Sequence, residues 1–159
     1  MTARPDPAGI ANDDEMQLGR LGDFVGFRLR RIQNQLSREF AAVTAEHELR
    51  AGLFSALAIV SANPGLSQVA LAREVGLDKS LTVAVVDDLE ARGLAERRRS
   101  PTDRRRHALY VTAGGEALLD TLFDRLEAVE RDVLNALGPR DLHVLNTLLD
   151  RIYKAAFRG

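Results

Sequence analysis

The chain has 159 residues, 45% apolar and 28% charged, with a formal net charge of −1 and no cysteine. That length accommodates one compact domain or a domain with an extension, and the composition is that of an ordinary soluble protein. The missing cysteine removes disulfides, thiolate catalysis and zinc–cysteine sites together, no run of about 18 apolar residues exists to span a bilayer, and a near-neutral chain is not a generic polyanion binder.

Residues 1–17 begin rich in Pro, Ala, Asp and Asn. They lack the basic start and apolar block of a secretion signal, so they read as a disordered arm on a cytoplasmic protein. From about Leu18 to His47, apolar residues recur at Leu21, Val25, Leu29, Ile32, Leu36, Phe40 and Val43. Intervals of three and four predict one long helix with a sustained apolar seam, and a helix that long packs against a partner along its length. Leu53, Leu57 and Val60 predict a second helix ending before the turn Asn63-Pro64-Gly65. Ser67 is placed to cap a third helix through Gln68, Val69, Leu71, Ala72 and Val75, which Gly76 stops. Asp78 caps a fourth from Lys79 to about Arg92, ended by Gly93. Two short helices joined by a tight glycine turn form a helix-turn-helix signature.

Leu94 to Arg99 reads as a strand, Ser100 to Asp103 as a turn, and His107 to Val111 as the returning strand. This makes a β-hairpin wing directly after the fourth helix. Between Arg92 and His107 stand seven arginines (Arg92, Arg97, Arg98, Arg99, Arg104, Arg105, Arg106) against Glu96 and Asp103, a strong local excess in an otherwise acidic chain. Arginines at a hairpin tip suit phosphate contact or entry into a narrow minor groove. Thr112 caps a fifth helix with the seam Leu119, Leu122, Leu126, Val129, Val133, Leu137. Gly138-Pro139 breaks it, and a sixth helix uses Leu142, Leu145, Leu149, Ile152 and Ala156.

The expected fold is therefore mostly α: a winged helix-turn-helix over 49–112 with a small β-hairpin wing, and long terminal dimerisation helices over 18–48 and 113–159. Dimerisation follows from apolar seams that a single small domain would struggle to cover. His47, His107 and His143 form no ligand-spaced pair on one helix, so no metal site is expected. No phosphate loop, nucleophile elbow or carboxylate–histidine spacing argues for catalysis, so neither enzymatic activity nor a cofactor is expected.

Leu77-Asp78-Lys79-Ser80, the run Val86 to Leu94, Asp103-Arg104-Arg105-Arg106, and Leu109-Tyr110-Val111-Thr112-Ala113-Gly114-Gly115, in that order, resemble the MarR family. The likeness covers about Leu18 to Ala156. It implies a ligand-responsive transcriptional regulator, a homodimeric repressor bound to a pseudo-palindromic operator in double-stranded DNA. It further implies that Arg105 enters the minor groove while Asp103 orients it, with Arg104 near the backbone; turn formation is the alternative role for Asp103. Arg99 joins them at the wing. Lys79 and Ser80 suit the approach to DNA, and Leu81 and Val83 suit thymine methyls, but the bidentate readers Arg, Asn and Gln are absent from this stretch. Asp88 stands where the family often has a basic residue. Readout then leans on Gln68 and on DNA shape.

The resemblance also implies a ligand site beside the first helix. There Phe24, Arg28, Arg31 and Gln35 form a ridge spaced four, three, four, which suits an aromatic carboxylate or an acyl-CoA thioester through stacking and charge pairing. A charged solvent or dimer face is the alternative. A second functional reading comes from the acidic pair Asp87-Asp88 and the apolar fourth helix: a protein-interaction module that keeps the winged fold without specific DNA readout.

Overall fold

The computed structural model describes residues 17–49, 52–99 and 107–157. The chain divides into two compact units, one up to Gln35 and one from Leu36 onward.

The expected long helix is interrupted near its start. A 3-10 helix, Gly19–Asp23, is followed by extended backbone at Phe24 (φ −84°, ψ 121°), and only then does α1 run, Val25–Val43. Gly19, Gly22 and Gly26 supply the reason, since each weakens a helix relative to alanine. Gly19 itself stands at φ +50°. The far end is also shorter than expected, because Ala45–His47 tightens into a second 3-10 turn.

The second unit is built around α2 (Leu53–Ala62), whose Leu53, Ala56, Leu57 and Val60 are buried. Against it pack α3 (Gln68–Val75), α4 (Lys79–Ala91) and α5 (Ala113–Val133), contributing Leu71, Val85, Val86, Leu89 and Leu119 to one continuous core. Truncating any of these leucines to alanine costs about 2–5 kcal/mol. Val69, expected with the apolar positions of α3, is instead 71% exposed. Leu71 and Val75, four apart, set the inward face, and Val69 lies two residues off it.

The wing is a three-stranded antiparallel sheet in the order β1–β3–β2, formed by Leu66–Ser67, His107–Val111 and Ala95–Arg99 respectively. Ala95 pairs with Val111 and Arg99 with His107; Leu66 pairs with Leu109 on the other edge. The two-residue β1 was not expected.

All three expected caps form. Ser67 Oγ accepts from the Ala70 amide (3.2 Å), Asp78 Oδ1 from Leu81 (2.8 Å) and Thr112 Oγ1 from Gly115 (3.1 Å). Each is worth about 1 kcal/mol against alanine. Gly76, at φ +71°, makes the turn between α3 and α4 in a conformation that glycine adopts without steric cost.

Gly115 serves closeness instead. A Cβ there would stand 2.1 Å from the Leu94 carbonyl oxygen and 2.6 Å from Val111 Cγ1. Gly115→Ala is therefore expected to push α5 off the wing root and destabilise the fold by about 1–3 kcal/mol. Thermal or urea denaturation checks this, and a wild-type midpoint would refute the close approach.

The last helix, α6 (Pro139–Phe157), buries no residue, and neither does α1. One hydrogen bond from α6 reaches α3, donated by the Tyr153 hydroxyl to Glu74 Oε1 at 2.8 Å.

Candidate nucleic-acid interface

The outward face of helix α4 is mixed, carrying two charged, one hydroxyl and two aliphatic side chains. Thr82, Val85, Val86 and Leu89 are buried, and the Thr82 hydroxyl donates to the Asp78 carbonyl (2.8 Å), out of reach of any ligand. Lys79, Ser80, Leu81, Val83 and Asp87 are exposed. Ser80, Val83 and Asp87, three and four residues apart, share one stripe. The face thus offers an ammonium, a hydroxyl and two aliphatic side chains, which can contact phosphate, base edges and thymine methyls, beside the Asp87 carboxylate. Gln68 opens α3 half-buried, its Oε1 accepting a long bond from Arg97 Nη2 at 3.5 Å. Exposed Val69 beside it was missed by sequence reasoning. The four-residue spacing of Leu71 and Val75 was the signal that could have found it.

The basic run does not act as one patch. Arg97 lies between strand and helix: Nη2 donates to Asp87 Oδ1 at 2.7 Å, Nη1 to Glu90 Oε2, and its backbone amide to Glu90 Oε1 at 2.7 Å. Arg92 Nε donates to Asp88 Oδ1 at 3.0 Å. Arg98 pairs with Glu96 and lies over the Tyr110 ring, 4.6 Å from its centroid. The hydrogen bond and charge of Glu96 raise the Arg98 pKa above its ordinary value, so this residue is a cation at every relevant pH. Arg99 is exposed at the end of β2.

Two corrections follow. Arg92 and Arg97, counted with the DNA-facing excess, are engaged within the chain, Arg92 by Asp88 and two backbone carbonyls and Arg97 by Asp87 and Glu90. Asp87 and Asp88, the support for a protein-interaction module, are the partners of those arginines rather than a bare acidic patch. Asp103, Arg104 and Arg105, expected at the wing tip, lie outside the described residues.

Of the expected ligand ridge, Arg28 and Arg31 are exposed and Gln35 half-buried on α1. Phe24 is 61% exposed and precedes the helix, its carbonyl accepting from the Arg28 amide at 3.3 Å. The helical stripe therefore properly holds the three polar residues, with Phe24 at its entrance. Sequence reasoning also missed a chain of aromatic rings. Phe54 has its centroid 5.1 Å from Phe40 and 5.2 Å from Phe123, tying the end of α1 to α2 and α5. Among the described residues, no cluster of three or more His, Asp or Glu is placed to hold a metal, and no helix is long and apolar enough to cross a membrane.

Known proteins resemble this chain in sequence and in fold. A family model described as "MarR family" matches residues 54–106. A Thauera aromatica protein, provisionally named as a transcriptional regulatory protein for the hcr operon, is 37% identical over 147 residues, 91% of this chain and 89% of its own. Among solved structures, the transcriptional repressor CouR bound to a 23-mer DNA duplex superposes with a TM-score of 0.77 at 34% identity, over 87% of this chain and 98% of that one. CouR from Rhodococcus jostii RHA1 bound to p-coumaroyl-CoA gives 0.76 at 29% identity, over 89% and 97%.

Proposed function

The chain belongs to the MarR family of transcriptional regulators, and on that premise we propose that it is a homodimeric repressor that binds a pseudo-palindromic operator and is released by a small aromatic acid or acyl-CoA ligand. One observation carries the DNA reading. Helix α4 turns Lys79, Ser80, Leu81 and Val83 outward, while its other face is locked into the core beside a hairpin wing. Gln68, Lys79, Ser80, Leu81 and Val83 then meet the major groove, with Arg99, Asp103, Arg104 and Arg105 at the adjacent minor groove and backbone. That a related repressor, CouR, has been solved on duplex DNA supports this. The test is a mobility shift on the DNA beside its own gene, repeated at raised salt. Retained preference for that DNA over scrambled sequence is the expected result, and equal binding to both would overturn specific readout.

The dimer reading over residues 18–48 and 113–159 is supported by the apolar side chains that α1 and α6 leave uncovered. Leu29 and Ile32 on one, and Val144, Leu148, Ile152 and Phe157 on the other, are all above 40% exposed. A lone soluble chain rarely leaves that much apolar side chain to water.

The ligand reading is supported by a related protein, CouR, solved with p-coumaroyl-CoA, a thioester with an aromatic end and phosphates that suits Phe24, Arg28, Arg31 and Gln35. Arg31→Ala is expected to weaken p-coumaroyl-CoA binding by about 1.5–3 kcal/mol, the worth of a hydrogen bond to a charged group, while operator binding stays near wild type. Calorimetry decides it. Unchanged affinity in both Arg28→Ala and Arg31→Ala would remove the ridge from the site.

A further inference from the structure

Arg92 stands at the centre of the segment Glu90-Ala91-Arg92-Gly93-Leu94, as the cap at the C-terminal end of the helix assigned to DNA. Its guanidinium does not face outward as a free cation. Nε donates to Asp88 Oδ1 at 3.0 Å, Nη1 to the His47 carbonyl at 2.9 Å and Nη2 to the Glu48 carbonyl at 3.0 Å. Asp88, one turn earlier on the same helix, orients the fork. The two carbonyls lie more than forty residues away, at the junction where the chain leaves α1 for α2.

That junction needs holding. The 3-10 turn Ala45–His47 ends on Glu48 at φ 47°, ψ 48°, the one non-glycine residue with positive φ among the described residues. An L side chain enters that region against its steric preference, and the carbonyls of a sharp bend need donors. A second arginine supplies more: Arg125 of α5 donates Nη1 to the Val43 carbonyl and Nη2 to Glu46 Oε1, both at 3.0 Å. The bend is thus gripped from α4 and from α5. A planar fork with donors on three nitrogens can meet two carbonyls and a carboxylate at once, which a lysine ammonium at a single point cannot.

We infer that Arg92 is a positioning residue for DNA binding: it fastens the end of α4 to the α1–α2 junction, so that the bend at Glu48 sets where the recognition helix stands. The inference rests on the reading of α4 as the DNA-contacting helix.

The test compares Arg92→Ala, Arg92→Lys, Glu48→Gly and the double variant Arg92→Ala/Glu48→Gly, titrated against the DNA beside the protein's own gene over a range of salt. Arg92→Ala is expected to lose about tenfold in affinity with an unchanged salt slope, because no phosphate contact is removed. Arg92→Lys should lose a similar factor although it keeps the charge. Glu48→Gly adopts the left-handed conformation without steric cost, so in the double variant it should recover most of the loss. A salt slope lowered by about one unit in Arg92→Ala, with Arg92→Lys normal and no recovery from Glu48→Gly, would make Arg92 a phosphate contact and overturn the inference. Wild-type affinity in Arg92→Ala would overturn it equally. If Arg92→Ala does not fold, Arg92→Lys and Asp88→Asn carry the same comparison. Hydrogen exchange at the Thr44, His47 and Glu48 amides keeps the two readings separable. Failure of the wild type to bind DNA strikes the functional reading, whereas unchanged protection in Arg92→Ala strikes the tether itself.

Discussion

Ile152→Asp is expected to leave the protein monomeric at micromolar concentration and to lower operator affinity by about 10²- to 10⁴-fold, the avidity lost when two half-sites are no longer bound by one linked dimer. Ile152 is 54% exposed and its neighbours Leu148, Leu149 and Tyr153 are 37–46% exposed in the single chain. A carboxylate there meets solvent within the protomer and lies outside the buried core, so helicity and the core transition should be little changed. Closing an interface over it buries an unpaired charge, which costs on the order of several kcal/mol. Sedimentation and operator titration on the same preparation check both halves. A wild-type protein that is itself monomeric at micromolar concentration would remove the dimer, and so would an Ile152→Asp dimer as stable as wild type.

Arg105→Ala should cost about 1–3 kcal/mol on the operator and reduce the salt slope by about one unit, if Arg105 occupies a narrow minor groove. Asp103→Ala supplies the sharper test, because the two accounts of Asp103 predict opposite signs. Deleting an acid near DNA strengthens binding by simple electrostatics. Deleting the group that holds a guanidinium in one geometry weakens it, since the arginine must then lose more freedom on binding. The expected result is a weakening smaller than that of Arg105→Ala, on operator more than on scrambled DNA. Tighter operator binding by Asp103→Ala would reduce Asp103 to a turn residue. Arg97→Ala is a useful contrast, because its charge is already matched by Asp87 and Glu90. It should impair stability without lowering the salt slope.

The order of elements was legible because each boundary is written within a few residues. Ser67, Asp78 and Thr112 each cap the amide three positions ahead, and Gly76 and Gly93 end helices at positive φ. The antiparallel pairing of β2 with β3 was legible for the same reason, as two short runs of strand-forming residues. Strand β1 was not, since two residues carry no pattern and their partner in β3 lies more than forty positions away. The break at Phe24 was legible in principle, from three glycines in eight residues, but the apolar seam argued for continuity. The outward residues of α4 followed from helical period alone once the buried stripe was known.

The sequence by itself determined the family, the succession of helices and wing, and the candidates for DNA and ligand contact, because these depend on local propensity, spacing and motif order. Tertiary structure decided which of the described arginines of that run are engaged within the chain. Arg92 and Arg97 look identical to Arg99 in the linear run, but folding brings Arg92 the carbonyls of His47 and Glu48 from forty-five and forty-four positions away, and Arg97 the carboxylates of Asp87 and Glu90 from ten and seven. A charge acts through what it touches, and linear spacing does not reveal contacts made by folding.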